Sequence, residues 1–166
     1  MSSSQDGHPP FSAARHRYSE SLGFEDLKVD QTFHIPSRTV TEGQFSAFQA
    51  ASGDNHPIHY DREYCRRLGH PDLLAHGFQV LIQTSAGAGL FPHLIGETLV
   101  AFLEQSSKFL HPVYAGDTLY PLLRVQALER QRTTGVVTLQ STVHNQNGDL
   151  CLEGEQRYLL RLASPA

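Results

Sequence analysis

The chain has 166 residues, 39% of them hydrophobic and 18% charged, a composition typical of one globular domain with a sizeable core. Its net charge of −4 at pH 7 provides no basic face for nucleic acid. No stretch approaches the roughly 20 apolar residues of a membrane span, so we expect no membrane association. Residues 1–20 are polar and lack the apolar core of a signal peptide. We therefore expect a flexible N-terminal segment there and a single domain over residues 21–166.

The chain contains two cysteines, Cys65 and Cys151, which are not spaced as metal ligands. Unpaired thiols are typical of a reducing compartment, so we expect a cytoplasmic protein without a disulfide.

The first predicted elements precede a conspicuous loop. Residues 24–40 mix short apolar runs with a proline and predict one or two short strands. Thr41 is followed three residues later by Gln44, which forms a capping box. Apolar residues at helical spacing then predict a helix near 42–51 that ends at Gly53.

The loop reads SGDNHPIHYD over residues 52–61, where Pro57 opposes helical geometry at the residue before it. Asp61 is a candidate cap for a short helix over 62–68, with Gly69 as its stop.

The second half of the chain changes from helix to strand. Residues 77–90 are apolar nearly all round, which predicts a buried helix. Turns are predicted at 114–117 and at Asn147-Gly148, the latter a strong hairpin signal. Strands are predicted at 98–102, 108–113, 119–128, 136–143 and 150–162. Segregated helices and antiparallel strands indicate an α+β fold, with a curved sheet around the buried helix.

The loop carries a carboxylate and an imidazole, on Asp54 and His59, that Pro57 can hold toward one point. Such a pair can activate a water molecule and move its proton near neutral pH. Asp and Asn also build ordinary turns by bonding their own backbone, so a purely structural loop is the alternative.

A zinc site built from Asp54, His56, His59 and His76 is a further alternative, because HxxH spacing can bind this metal. The sequence lacks a second compact ligand cluster and Pro57 restricts the pair, so we expect no metal.

A second group of candidates surrounds His76-Gly77, at the start of the predicted buried helix. Unpaired N–H groups at a helix start, with a glycine that allows close approach, can form an oxyanion hole. Alternatively, Gly77 only eases a tight turn and His76 is an interior histidine. Ser85 lies about two helical turns after Gly77. A lone serine in an apolar helix more often hydrogen-bonds to a backbone carbonyl one turn earlier, which is the alternative to a role in the site.

These motifs together resemble the MaoC-like dehydratases, the (R)-specific enoyl-CoA hydratase family. The family loop reads Asp, any residue, Asn, Pro, an aliphatic residue and His, and matches residues 54–59 except that His56 stands in place of Asn. The HG pair matches His76-Gly77, and the segment EQSSKFLHPVYAGDTL at 104–119 is similar to the family's strand and turn. The resemblance runs from about residue 24 to 162.

The resemblance implies a hot-dog fold, an antiparallel sheet wrapped around a long central helix, and a homodimer or higher homo-oligomer. It implies hydration of trans-2-enoyl thioesters, or the reverse dehydration, with Asp54 and His59 as catalytic residues and Gly77 as the oxyanion donor. Supporting positions are Ser85, His56, His76 and Asp61.

The implied substrate is a thioester of coenzyme A or of acyl-carrier protein, and no cofactor is expected. A hot-dog acyl-CoA thioesterase and a non-catalytic acyl-thioester-binding subunit of a dehydratase are the alternative functions.

Overall fold

A computed structural model of the protein describes residues 12, 13, 16 and 21–162. The flexible segment predicted over residues 1–20 lies almost wholly outside these described residues. In the described part of the chain, no helix is long and apolar enough to cross a membrane.

The described chain contains four short α-helices, six strands and several 3₁₀ turns. The helices are α1 (Glu42–Ser52), α2 (Arg62–Arg67), α3 (Gly77–Leu81) and α4 (Phe91–Ile95). The strands are β1 (Thr32–His34), β2 (Arg38–Thr39), β3 (Leu99–Phe109), β4 (Thr118–Arg130), β5 (Thr134–His144) and β6 (Leu150–Arg161). The 3₁₀ turns are Phe24–Asp26, Pro57–His59, Ile82–Thr84, Ala86–Ala88 and Gly96–Thr98.

The strands form one antiparallel sheet in the order β1-β4-β5-β6-β3, with β2 paired to β4. The predicted hairpin turn at Asn147-Gly148 joins β5 to β6, and Gly148 takes the left-handed backbone (φ 84°) that the turn requires. The inner face of this sheet packs against the segment that begins with α3. The predicted α+β class and the hot-dog fold are confirmed.

Local capping signals place the helices on either side of the loop. Thr41 Oγ1 accepts from the Gln44 N–H while the Gln44 side chain bonds back to the Thr41 N–H, as the capping box predicts. Gly53 ends α1 in the left-handed conformation (φ 74°). Asp61 caps α2 by accepting from the Tyr64 N–H at 2.9 Å. Helices at fixed positions on both sides therefore determine where the loop begins and ends.

The central segment differs from the long helix predicted over 77–90. It is α3 followed by two 3₁₀ turns, and Ser85 leaves the helical region between them (ψ 117°). Two causes are visible. The Thr84 hydroxyl donates to the Leu81 carbonyl, and the glycines at 87 and 89 favour helix poorly.

Contrary to the prediction, the segment is also not buried all round. Three of its polar side chains are buried, Gln79 and Thr84 at 1% exposure and Gln83 at 7%, whereas Ser85 is exposed. Its apolar side chains Phe78 and Ile82 are 71% and 50% exposed. The buried side of the segment is therefore partly hydrogen-bonded and partly apolar, with Val80 and Ala86 in the hydrophobic core, and Phe78 and Ile82 face outward.

The hydrophobic core has two parts. One lies between the sheet and α4 and includes Phe33, Phe91, Leu123, Leu139 and Leu160. The other lies beneath the loop and includes Phe45, Cys65, Val80, Val113 and Leu152. Cys65 and Cys151 are both buried and free, as predicted.

Strand β3 is continuous where two separate strands were predicted, and residues 110–113 are not strand. Its polar middle pairs with β6 and adds ion pairs such as Arg157–Glu104 at 3.2 Å. Within the described residues β3 pairs only with β6, so it is a long edge of the sheet. Exposed apolar side chains lie along and just beyond this edge, at Leu99, Val100, Phe102, Leu103, Phe109 and Leu110.

Substitution of Gly154 in β6 tests how closely the backbones of β6 and β3 approach each other. A Cβ at this position would collide with the Ser106 carbonyl oxygen, which is backbone and cannot rotate away. We expect Gly154→Ala to lower the free energy of unfolding by about 1–3 kcal/mol through overpacking. Urea unfolding measures the change. Gly87→Ala is the control, because a Cβ there meets nothing within 4 Å; equal stabilities of the two variants would contradict this register.

Candidate active site

The loop after α1 is built from successive local hydrogen bonds. The Asp54 N–H donates to Ser52 Oγ, and Asp54 Oδ1 accepts from the His56 N–H, both at 3.2 Å. His56 Nδ1 accepts from the Ile58 N–H at 3.3 Å, and Pro57 opens the 3₁₀ turn that carries His59. Asp54 thus does build a turn, as the structural alternative requires, but only its Oδ1 is used for this.

The backbone of Leu74 holds the His59 ring in place. His59 Nδ1 donates to the Leu74 carbonyl oxygen at 2.6 Å, and the Leu74 N–H donates to the Ile58 carbonyl at 3.1 Å. A carbonyl is only an acceptor, so this bond places the hydrogen on Nδ1 and leaves Nε2 with a free lone pair.

The free nitrogen of His59 faces the free oxygen of Asp54. His59 Nε2 and Asp54 Oδ2 are 4.0 Å apart, with side chains 11% and 49% exposed, respectively. This distance is too long for a direct hydrogen bond, and it leaves both atoms able to bind one third group, such as a water or a substrate oxygen.

Burial makes His59 a poor cation. Desolvation is the largest cause lowering the pKa of His59 below 6.5, and the neighbouring His76 and His56 add to the decrease when they carry a second proton. The hydrogen bond to Leu74 and the Asp54 carboxylate act in the opposite direction without reversing it. His59 is therefore uncharged at neutral pH and able to accept a proton.

His76 lies directly behind His59. The two imidazole rings are stacked, with centroids 3.6 Å apart and planes inclined by 21°. His76 Nδ1 lies 3.0 Å from Gln79 Oε1, and Nε2 lies 3.0 Å from the Tyr60 hydroxyl. Burial, and then the Asp54 carboxylate, raise the pKa of Tyr60 above 10.0, so its hydroxyl keeps its hydrogen.

The metal alternative has the right residue types but the wrong directions. Ligand atoms of Asp54, His59 and His76 lie within 4.8 Å of one another. A zinc ion sits about 2 Å from an imidazole nitrogen, along its in-plane lone pair. Stacked, nearly parallel rings direct their lone pairs along separate planes, so the two histidines do not converge on one ion.

Gly77 is the first residue of α3, and its N–H has no acceptor one turn earlier within the helix. A cleft of about 370 Å³ lies beside it, lined by Gly77, Val80, Leu110 and Val113 among others. The Phe109 ring covers Gly77 so closely that an added Cβ would be 3.3 Å from its Cζ. Glycine thus allows the half-exposed Phe109 ring to lie close to the start of the helix.

Three predicted supporting residues lie apart from the paired side chains. Asp61 is a helix cap, and His56 is exposed with its ring centroid 6.2 Å from that of His59. Ser85 is exposed at the break in the central segment, and in the described chain its hydroxyl makes no bond to Asp54.

Sequence reasoning missed three contributors to the site. The Leu74 carbonyl and the Gln79 side chain meet the histidines only through the fold, and neither residue type signals such a role. Tyr60 adjoins His59 in the sequence, which is the one signal that could have drawn attention to it.

Comparison with known proteins agrees with these features. The family model described as a MaoC like domain matches residues 26–147. A UPF0336 protein of Streptomyces griseus is 29% identical over 150 residues, covering 84% of this chain and all of that protein. The (R)-specific enoyl-CoA hydratase of Aeromonas caviae is 28% identical, covering 81% of this chain and 96% of that protein. The unliganded R-hydratase PhaJ1 of Pseudomonas aeruginosa superposes with a TM-score of 0.72 at 26% identity, covering 86% and 88% of the two chains.

The environment of His59 predicts its titration. We expect His59 to protonate below pH 6.5, because burial opposes the charged ring. Asp54→Asn should lower the pKa further, because the carboxylate that favours the imidazolium is removed. Imidazole ¹⁵N NMR between about pH 5 and 8 measures both values. A His59 that titrates above 6.5, or whose pKa rises in Asp54→Asn, would contradict the site electrostatics.

Proposed function

The chain belongs to the MaoC-like domain family, and on that premise we propose that it is a hydro-lyase acting on acyl thioesters. The proposed reaction is (R)-specific addition of water to a trans-2-enoyl thioester, or the reverse dehydration of a 3-hydroxyacyl thioester. The observation that carries the proposal is the free His59 Nε2 opposite the free Asp54 Oδ2, at 4.0 Å.

The proposed mechanism uses this pair as base and then acid. A water held between the two side chains gives a proton to Nε2 of the uncharged His59 as its oxygen attacks C3. The new C–O bond pushes electrons toward the thioester carbonyl, and C2 takes a proton back from the His59–Asp54 pair. The pair ends in its starting protonation state, and the elements of water have been added across the double bond.

Enolate charge on the thioester oxygen requires a donor, and we assign this role to the Gly77 N–H at the start of α3. The adjoining cleft of about 370 Å³ is mostly apolar and is our candidate path for the pantetheine arm. Coenzyme A and acyl-carrier protein both supply such an arm. The free buried cysteines support the cytoplasm as the proposed compartment.

A hot-dog thioesterase is the second enzyme candidate, since the same residues could direct water at the carbonyl carbon. The position of His59 Nε2 next to Asp54, rather than next to a nucleophile, favours hydration. A non-catalytic binding subunit is the third candidate, and the presence of both Asp54 and His59 argues against it.

Substitution of either residue of the Asp54–His59 pair tests the proposed function on trans-2-enoyl-CoA substrates such as crotonyl-CoA. We expect Asp54→Asn and His59→Ala each to reduce kcat/KM for hydration by about 10²–10⁴, because each removes one proton-transfer group. Loss of the enoyl thioester absorbance measures hydration, and circular dichroism checks the fold. In the wild type, the acid limb of kcat/KM should lie below pH 6.5, because the base form of His59 is lost only as the pH falls through its lowered pKa.

Asp61→Asn is the matched control, because asparagine also caps a helix and the carboxylate at 61 only caps α2. Wild-type turnover in Asp54→Asn or His59→Ala would exclude the proposed pair. Release of free thiol, detected with a thiol-reactive dye, would instead identify a thioesterase. Thermal stabilisation by acyl-CoA without any turnover would identify a binding subunit.

We propose further that the protein is a homodimer joined along β3. This 11-residue strand is a long edge whose outward groups can pair with another strand, a hazard that natural proteins cover or block. Exposed apolar side chains on the edge, together with Phe78 and Ile82 of the central segment, need the same cover. A second copy would supply both an edge and an apolar face, because a two-fold interface is self-complementary.

Charged residues introduced by substitution on β3 test the proposed dimer. We expect wild-type protein to sediment as a dimer and the double variant Val100→Glu, Leu103→Glu to sediment as a monomer, because each glutamate would be desolvated in the interface. Analytical ultracentrifugation at micromolar concentration measures the mass. Val29→Glu changes an equally exposed apolar residue away from β3 (54% exposed) and should leave the dimer intact. A monomeric wild type, or a dimeric double variant, would exclude the β3 interface.

A further inference from the structure

Tyr60, His76 and Gln79 form a hydrogen-bonded chain behind His59 that the proposed reaction does not use. The Tyr60 hydroxyl lies 3.0 Å from His76 Nε2, and Gln79 Oε1 lies 3.0 Å from His76 Nδ1. His76 and Gln79 are only 3% and 1% exposed, so water cannot replace either partner. These hydrogen bonds therefore determine which ring nitrogen of His76 carries the hydrogen.

The partners specify one form of the His76 ring. Gln79 Oε1 is an acceptor, so Nδ1 carries a hydrogen. The one hydrogen of the Tyr60 hydroxyl can reach Nε2 at 3.0 Å or the carbonyl oxygens of Asp54 and Phe45 at 3.2 and 3.4 Å, and we assign it to Nε2, the nearest acceptor. A ring with one hydrogen is uncharged. An uncharged His76 is the form that can lie face to face with His59 at 3.6 Å without repelling any proton that His59 gains.

Gln79 itself indicates that its oxygen is the functional group. Its Nε2 is buried and has no hydrogen-bond partner in the described chain. An orphaned buried donor destabilises a protein, and a methionine would fill similar space without one. A carboxamide at position 79 is therefore less favourable for core packing than a methionine would be. The contact that a methionine could not make is the hydrogen bond between Oε1 and His76 Nδ1.

In the described chain, Gln79 is the hydrogen-bond partner of His76 Nδ1, and the other groups facing the two rings lie elsewhere around them. His59 faces Asp54 and His56 from its own loop and His76 from the start of α3. His76 faces the uncharged rings of Phe45 and Phe48 on α1, the Tyr60 hydroxyl, and Asp54, whose carbonyl oxygen is 3.4 Å from Nε2 and whose carboxylate lies within 4.8 Å of a ring nitrogen. Position 79 thus determines which group Nδ1 of His76 meets, while Nε2 meets Tyr60 and Asp54.

We propose that Gln79 is a positioning residue, which acts through His76 to keep an uncharged imidazole stacked on His59 and so holds His59 Nε2 toward Asp54. Its effect on rate rests on the proposed hydratase function, whereas its effect on the two histidines does not.

Wild-type protein gives the first measurement. Imidazole ¹⁵N NMR at about pH 7.5 should show His76 with its hydrogen on Nδ1 and an unprotonated Nε2. This is the reverse of the preference of free histidine. A hydrogen on Nε2, or on both nitrogens, overturns the proposal without any variant.

Gln79→Glu gives the second measurement, because a carboxylate favours the imidazolium through a charge-assisted hydrogen bond. We expect both nitrogens of His76 to carry hydrogen in this variant. A cation stacked on His59 should then move the NMR titration of His59, and the acid limb of kcat/KM, downward by about one pH unit or more. An unchanged His76, or a His59 titration that does not move, overturns the proposal.

Gln83→Glu is the matched control. Gln83 is the same residue type one turn later, is 7% exposed, and donates to the Gln79 carbonyl at 3.1 Å without contact to an imidazole. A purely structural role would make the two variants equivalent, so an equal downward shift in Gln83→Glu also counts against the proposal.

Gln79→Met covers the case in which Gln79→Glu does not fold. It keeps the volume and removes the acceptor, so His76 should lose its fixed Nδ1 hydrogen and kcat should fall about tenfold or more with little change in KM. Wild-type kcat in Gln79→Met overturns the proposal. If wild-type protein has no hydratase activity, the proposed function fails, and the NMR measurements still decide the role of Gln79.

Discussion

The hydrogen bond from His59 Nδ1 to the Leu74 carbonyl, at 2.6 Å, is the contact on which the candidate site depends. Leu74 in turn bridges to Tyr114, and the Ala75 N–H donates to the Val113 carbonyl at 2.8 Å. The segment before α3 is therefore held between the loop on one side and the link from β3 to β4 on the other. A loop so attached cannot move its imidazole without breaking backbone pairing.

The central segment buries Gln79, Gln83 and Thr84, and hydrogen bonds stabilise this arrangement, although Gln79 Nε2 has no partner in the described chain. Gln83 donates to the Gln79 carbonyl, and Gln156 of β6 donates to Thr84 at 2.9 Å. Buried amides without such partners would be strongly destabilising. The same arrangement leaves Phe78 and Ile82 exposed. The buried hydrogen bonds and the exposed apolar side chains both follow from which face of the central segment is buried.

Local signals explain which features the sequence predicted. The capping box at Thr41, the stop at Gly53, the cap at Asp61 and the turn at Gly148 each depend on residues within four positions, so the sequence contains their whole cause. The pairing of Asp54 with His59 was predicted for the same reason, because Pro57 lies between them. The spacing did not predict their separation.

Non-local contacts explain the rest. The face that residues 77–88 bury depends on Gln156, which is 72 positions away from Thr84, so periodicity within the segment could not identify it. From the sequence, the polar residues are interpreted as interruptions of an apolar helix, whereas Gln79, Gln83 and Thr84 are buried. The role of Leu74 uses its backbone carbonyl alone and is independent of its residue type.

The gap between Asp54 and His59 has a chemical consequence of its own. A carboxylate bonded directly to the imidazole would raise its pKa and increase the fraction of rings already protonated at neutral pH. At 4.0 Å the carboxylate raises the pKa of His59 by less than burial lowers it, so the ring stays uncharged while both groups still reach one small molecule between them. Burial of one partner and exposure of the other thus keep the pair ready to accept a proton, because the nitrogen is desolvated and the carboxylate is not.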